Sequence, residues 1–159
     1  MKLQVYLDTS VFSALYDDRV TERRAATEEF WGRRAQFEIA TSELAREELE
    51  QTPDPARRRD LRQLLDEVTV HAISAEMRKL AANYVSAGTF AAAMYNDALP
   101  VAVAVLTRQD VLLSWNFKHL VNRRRRAQLM KRIFRWGCPR SRSWLRQRYE
   151  GFDHALFRL

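Results

Sequence analysis

The stretch LQVYLDTSVFSAL, residues 3–15, decides the fold that the sequence predicts. Residues Leu3–Leu7 form a short apolar run with β-branched and aromatic members, which is typical of a buried strand. The run stops at Asp8-Thr9-Ser10, whose side chains often cap the first turn of a helix. The stretch therefore predicts a β-strand that passes directly into a helix over Val11–Tyr16.

Working outward from this stretch, strands and helices are predicted to alternate. Further strands are predicted at Phe37–Ala40, Val68–Ile73 and Asp110–Ser114, and helices at Thr21–Arg34, Glu43–Gln51, Ala56–Glu67, Ala75–Ser86 and Ala98–Leu106. In the second helix, spacing places Ala25, Phe30 and Trp31 on the inner face. Strands separated by helices imply right-handed crossovers and a parallel sheet covered on both faces. We predict a three-layer α/β/α domain with a central parallel sheet of four or five strands.

Composition excludes several classes of protein. The 159 residues are 47% apolar, which suits one domain with a core of its own. Because no apolar run approaches the roughly 20 residues of a membrane span, we expect a soluble, cytoplasmic protein with no membrane partner. The single Cys138 and three widely spaced histidines argue against a disulfide or a cysteine-based zinc site.

Charge is strongly segregated along the chain. Residues 1–122 carry 15 basic and 18 acidic side chains, whereas residues 123–159 carry 12 and 2. The basic end begins with the run Arg123–Arg126, which suits either phosphate binding or a solvated surface. We predict an α/β domain over residues 1–126, and a basic C-terminal helix and tail over 127–159 that packs on the domain or extends from it.

Four polar residues follow the predicted strands closely. Asp8 follows the first strand, Glu48 lies on the helix after the second, Asp97 opens a later helix, and Asn116 follows the fourth strand. Ligand-binding groups gather at the carboxyl ends of parallel strands, so these side chains are predicted to meet in one cleft. Crowded carboxylates repel one another unless a divalent cation neutralises them, and Mg²⁺ and Mn²⁺ prefer such oxygen ligands.

Each of these positions also has a simpler structural explanation. Asp8 and Asp97 are both placed to act as helix N-caps. Glu48 lies among other acids on one helix, and Glu43 is its rival for the inward position. Asp110 is interpreted as a turn residue at the entry to the fourth strand rather than as a ligand.

Four segments, taken in order, resemble the PIN-domain family. They are LDTSVFSAL around Asp8, TSELAREEL around Glu48, NDALPVAVA around Asp97 and LLSWNFKHLVN around Asn116. Within that family, residues 3–126 look most like the VapC-like nuclease toxins of type II toxin-antitoxin pairs.

The resemblance implies a Mg²⁺- or Mn²⁺-dependent endoribonuclease that cleaves RNA by attack of an activated water. It implies Asp8, Glu48 and Asp97 as metal ligands and, together with Asn116, as the catalytic set. The residues that it implies for RNA binding are Ser114, Thr9, Arg123 and Arg124. The partners that it implies are a cognate antitoxin and a second copy of the chain.

Two positions depart from the family pattern. Many relatives have a carboxylate where this chain has Asn116, and the family sequence DALH has histidine where this chain has Pro100. Because proline is tolerated best in the first helical turn, Pro100 predicts a helix that starts close to Asp97. These departures motivate an alternative function, a catalytically weak PIN-like RNA-binding module. A structural or regulatory protein that forms an oligomer through its apolar helices is a third possibility.

Overall fold

The computed structural model describes residues 2–116 together with the backbone of residues 156–158. The strands in these residues are β1 (Leu3–Leu7), β2 (Phe37–Ser42), β3 (Thr69–His71), β4 (Val111–Leu113) and β5 (Leu156–Arg158). The α-helices are α1 (Thr9–Ala14), α2 (Thr21–Gly32), α3 (Glu43–Glu50), α4 (Pro55–Asp66), α5 (Ala75–Ser86) and α6 (Tyr95–Leu106). None of the helices in this part of the chain has the length and apolar character needed to cross a bilayer.

The five strands form one sheet in the order β3-β2-β1-β4-β5. Strand β1 lies at the centre and pairs in parallel with β2 and β4, and β2 pairs in parallel with β3. Strand β5 pairs antiparallel with β4. The predicted α/β/α fold with a parallel sheet is confirmed. Four strands are parallel, and the fifth runs the other way.

The carboxyl ends of β1 and β4 are held in a dense core. Val5, Tyr6 and Leu7 of β1 and all three residues of β4 are at most 3% exposed. Helix α6 is buried without interruption from Ala98 to Ala104, which explains why its sequence is apolar on every side. Each fully buried Val or Leu side chain stabilises the fold by about 1.5–3 kcal/mol. The residues that follow these strands therefore project from a rigid support.

The prediction for the inner face of α2 is wrong at one position. Ala25 is exposed, and Thr27 joins Phe30 and Trp31 on the buried face of α2. At 3.6 residues per turn, Ala25 lies on the opposite side of the helix from Thr27.

The start of α6 also differs from the prediction. The helix begins at Tyr95, so Pro100 lies in its second turn rather than in its first. A proline there has no N–H to donate to the carbonyl of Asn96, and the buried packing of the helix outweighs that loss.

Most of the basic C-terminal segment lies outside the described residues. This holds for the run Arg123–Arg126, which includes the predicted RNA-binding residues Arg123 and Arg124, and for the helix predicted after it. The backbone of β5 comes from the same segment and joins the sheet beside β4.

Candidate active site

A small cleft opens where the carboxyl ends of β1 and β4 meet. The chain passes from β1 through β2 to β3 on one side and returns to β4 on the other side of β1, so this is the switch point of the sheet. The cleft has a volume of about 70 Å³. Its walls are formed by Asp8, Leu44, Glu48, Asn96, Asp97, Pro100, Leu112, Ser114 and Asn116. The four residues predicted as the catalytic set therefore line one cleft.

Asp8 occupies the N-cap position of α1, but its side chain does not cap the helix. Its Oδ2 atom instead accepts hydrogen bonds from the hydroxyls of Ser10 and Ser114, each at 2.7 Å. The two hydroxyl oxygens lie 3.3 Å apart. Both bonds go to the same carboxylate oxygen, so they fix the orientation of Asp8 without engaging Oδ1.

The same two serines hold the segment that follows β4. The backbone N–H of Trp115 donates to Ser10 Oγ at 2.9 Å, and that of Asn116 donates to Ser114 Oγ at 3.0 Å. Asp8 and Asn116 are thus positioned by one hydroxyl network. From the sequence, capping was the favoured role for Ser10, and its bonds to Asp8 and Trp115 were not specifically predicted.

Glu48 reaches the cleft from α3. The Thr9 hydroxyl donates to Glu48 Oε2 at 2.5 Å. Partial burial of the carboxylate raises the pKa of Glu48; the Thr9 bond opposes this rise, whereas the charges of Asp8 and Asp97 add to it. The cleft therefore concentrates negative charge, and no described residue of its lining is basic.

Asp97 reaches the cleft from the first turn of α6, whose N-cap is Met94. The capping role that the sequence allowed for Asp97 is therefore not the one in the structure.

The other two acids considered from the sequence lie outside the cleft. Glu43 accepts a hydrogen bond from the backbone N–H of Ile73 at 3.1 Å and pairs with Arg46 at 3.6 Å. Asp110 accepts a bond from the backbone N–H of Gln4 at 2.9 Å, at the opposite end of β4. Both acids stabilise backbone segments.

A buried pair behind the cleft was not predicted. The hydroxyls of Tyr6 and Ser42 are hydrogen-bonded at 2.7 Å and join β1 to the start of α3, the helix of Glu48. Burial raises the pKa of Tyr6, and the charges of Asp8 and Glu48 raise it further. Strand periodicity was the available signal, because Tyr6 lies two residues before Asp8 and shares its face of the sheet.

The donor set suits a hard divalent cation. The cleft offers carboxylate, amide and hydroxyl oxygens. An ion there would favour the ionised form of Glu48, whose pKa is raised by partial burial and, to a smaller extent, by the charges of Asp8 and Asp97. Within residues 2–116, no three His, Cys, Asp or Glu side chains are grouped closely enough to bind one ion together. Mg²⁺ is commonly held by one or two carboxylates and keeps several waters, so the arrangement fits such an ion.

Comparisons with known proteins agree with this architecture. A toxin-antitoxin complex from Klebsiella pneumoniae is similar, with a TM-score of 0.57 and 19% identity over 74% of this chain and 91% of the other. The Mycobacterium tuberculosis toxin VapC20, which cleaves the sarcin-ricin loop, has a TM-score of 0.57 and 14% identity over 72% and 92%. VapBC2 from Rickettsia felis, bound to a DNA fragment from its promoter, has a TM-score of 0.51 and 15% identity over 76% and 95%.

No curated protein matches the chain by sequence. The sequence model of the PIN domain, however, matches residues 5–117, a span that begins in β1 and ends just beyond Asn116. With that match over most of its length, the chain belongs to the PIN-domain family.

Proposed function

We propose that the chain is a metal-dependent endoribonuclease and the toxin of a toxin-antitoxin pair. The observation that carries this proposal is the convergence of Asp8, Glu48, Asp97 and Asn116 on one cleft at the switch point of the sheet. The PIN family is a family of nucleases, and the similar structures are toxins or toxin-antitoxin complexes.

The proposed ligands of Mg²⁺ or Mn²⁺ are Asp8, Glu48 and Asp97, of which one or two would bind the ion directly and the others through its waters. Asn116 adds an uncharged oxygen donor. A divalent ion in such a cleft supplies activation of a water molecule and neutralisation of charge on the phosphate. The serines bonded to Asp8 keep its carboxylate in one orientation, and Thr9 does the same for Glu48. The Ser114 hydroxyl, which the resemblance implied for RNA binding, bonds Asp8 in the structure.

The negative charge of the cleft also supports a protein partner. A basic side chain from an antitoxin would enter a lining that holds three carboxylates and, among the described residues, no basic group. Two of the similar structures hold toxin and antitoxin proteins together. We propose that the chain forms a homodimer and binds such an antitoxin. We further propose that it acts on RNA in the cytoplasm.

A pair of charge-matched variants tests the ribonuclease proposal. Glu48 lines the cleft, whereas the adjacent Glu47 lies outside the lining. Glu48→Gln and Asp97→Asn should abolish Mn²⁺-dependent cleavage of a structured RNA, and Glu47→Gln should cleave like the wild type. A chelator should stop the wild-type reaction. Equal cleavage by all variants, with or without chelator, would show that a contaminating nuclease causes it.

Asn116 favours the second candidate function, an RNA-binding module of weak catalytic power. An amide in place of a carboxylate lowers the charge available to hold a cation. If the wild type binds RNA in Mn²⁺ but leaves it intact, this second function is correct and the nuclease proposal is wrong.

A further inference from the structure

We propose that Arg23 on α2 is a phosphate-binding residue that holds the RNA strand beside the cleft. The proposal rests on the ribonuclease function proposed above. It adds a substrate contact outside the segments that carry the family resemblance, on a helix that contributes no side chain to the cleft lining.

The guanidinium of Arg23 is held on the indole of Trp115. Its Cζ atom lies 5.7 Å from the centroid of the Trp115 ring, within the range of a cation-π contact. The indole N–H donates to Thr27 Oγ1 at 3.0 Å, and that hydroxyl donates to the carbonyl of Arg23 at 2.7 Å. Thr27 therefore joins the Trp115 ring to the backbone of Arg23, and the contact with the ring limits the positions that the guanidinium can take.

Trp115 also connects this arginine to the cleft. It lies between the cleft residues Ser114 and Asn116, and its backbone N–H donates to Ser10 Oγ, which donates to Asp8. The Arg23 guanidinium is thus one side chain away from the wall that carries the proposed metal ligands. An RNA strand that places a phosphate in the cleft has neighbouring phosphates on either side for Arg23 to bind.

Arg23 differs from the arginines around it in its ion pairing. Arg24 pairs with both Asp18 and Glu28, and Arg19 binds Asp17 at 2.8 Å. No ion pair of Arg23 is found within residues 2–116. Its side chain is only partly buried, so solvent and a ligand can reach it. The pKa of Asp17 is lowered chiefly by its bonds to Arg19, and the charge of Arg23 adds a small contribution, but Arg23 has no carboxylate within ion-pair distance among the described residues. A guanidinium that contacts an indole and is not engaged in an ion pair is suited to bidentate binding of phosphate oxygens.

Arg24 provides a matched control, because it lies on the same helix and carries the same charge. Binding of the full chain to a single-stranded RNA is measured in EDTA, so that cleavage does not interfere, over a range of salt concentrations. Each phosphate contact to a single strand contributes about 0.7 to the slope of log K against log salt concentration. We expect Arg23→Gln to bind several-fold more weakly and to reduce this slope by about 0.7, and Arg24→Gln to keep the wild-type slope.

Cleavage kinetics and a second variant complete the test. Arg23→Gln should raise KM while keeping kcat, and Arg23→Lys, which retains the charge but loses the planar fork, should keep the slope and recover part of the affinity. If Arg23→Gln is folded and matches Arg24→Gln in both slope and KM, the assignment of Arg23 is wrong while the ribonuclease proposal stands. If the wild type neither binds nor cleaves RNA, both proposals fail together.

Discussion

Removing either hydroxyl that holds Asp8 should weaken divalent-cation binding while the chain stays folded. Ser114 is 1% exposed and donates to Asp8 Oδ2 at 2.7 Å, and Ser10 donates to the same atom at the same distance. Without one of these donors the Asp8 carboxylate gains rotational freedom. An ion must then restrict that freedom when it binds.

The structure sets the size of this effect. A hydrogen bond to a charged group contributes about 1.5–3 kcal/mol, and loss of a group that orients a metal ligand reduces metal affinity by about 10–100-fold. These ranges agree, since a factor of ten corresponds to about 1.4 kcal/mol. Ser114→Ala should lie near the upper end because Ser114 is fully buried, and Ser10→Ala near the lower end because Ser10 is only half-buried.

The double variant should lose more affinity than the sum of the two single losses. Each single variant leaves one hydroxyl on Asp8 Oδ2, and one donor still restricts the carboxylate. Only the double variant leaves that oxygen without either bond. Residues that share a partner in this way are expected to be non-additive.

Two measurements give the affinity independently. One is the Mn²⁺ concentration that half-saturates RNA cleavage, and the other is the rise in Tm with added Mn²⁺, which follows from ligand binding to the folded state alone. Ser13→Ala is the control, because Ser13 is an exposed serine on the same helix, α1. A folded Ser114→Ala variant whose Mn²⁺ affinity equals that of Ser13→Ala would refute the assignment of Asp8 as a ligand held by these serines.

Three further predictions concern stability, measured by thermal unfolding. The pKa of Glu48 is raised in the folded state. At pH values between its ordinary and its raised pKa, the folded state therefore keeps a proton that the unfolded state releases. Without metal, the free energy of unfolding falls as pH rises through this window. Glu48→Gln should therefore be more stable than the wild type in EDTA at pH 7.5, and the difference should vanish near pH 4. The gain should be less than about 1 kcal/mol, because Glu48 is only partly buried and solvent screens its charge. Tyr6→Phe and Ser42→Ala each leave a buried hydroxyl without its partner, so each should lose about 1–3 kcal/mol, and the double variant should lose less than the sum. Asp110→Ala should lower Tm by a few degrees through loss of the bond from the Gln4 backbone, with unchanged kcat for RNA cleavage; a large fall in kcat would show that Asp110 acts in the reaction.

The first strand and the acid that follows it could be predicted because two signals agree there. The apolar residues Val5, Tyr6 and Leu7 specify a strand end that is buried on both faces, and Asp8 is the first polar residue beyond them. The rule that polar groups gather at the carboxyl ends of parallel strands then predicted that Asp8 and Asn116 would lie together, as they do. Both steps use information that is local in the sequence or common to all parallel sheets.

The hydroxyl partners could not be predicted because each hydroxyl has a local alternative. Thr9, Ser10 and Ser42 all lie where a strand gives way to a helix, and capping is the usual use of such side chains. In the structure each of them bonds a side chain instead: Thr9 bonds Glu48, Ser10 bonds Asp8 and Ser42 bonds Tyr6. Two of these partners are distant in sequence, and the choice between a cap and such a partner depends on the finished packing.

Strand order explains why some of the polar residues beyond the strands reach the cleft and others do not. Ser42 and His71 also end parallel strands, yet neither lines the cleft. The strands β2 and β3 lie on one side of β1 and β4 lies on the other, and a crevice opens at such a switch point of the strand order. Asn116 therefore reaches the cleft because it follows β4, whatever its side chain can contribute chemically. Strand order determines where the cleft lies, and the residue types at its walls determine how much charge a cation has to offset. With an amide at Asn116 that charge comes from three carboxylates, and the charges of Asp8 and Asp97 add to the rise that partial burial causes in the pKa of Glu48.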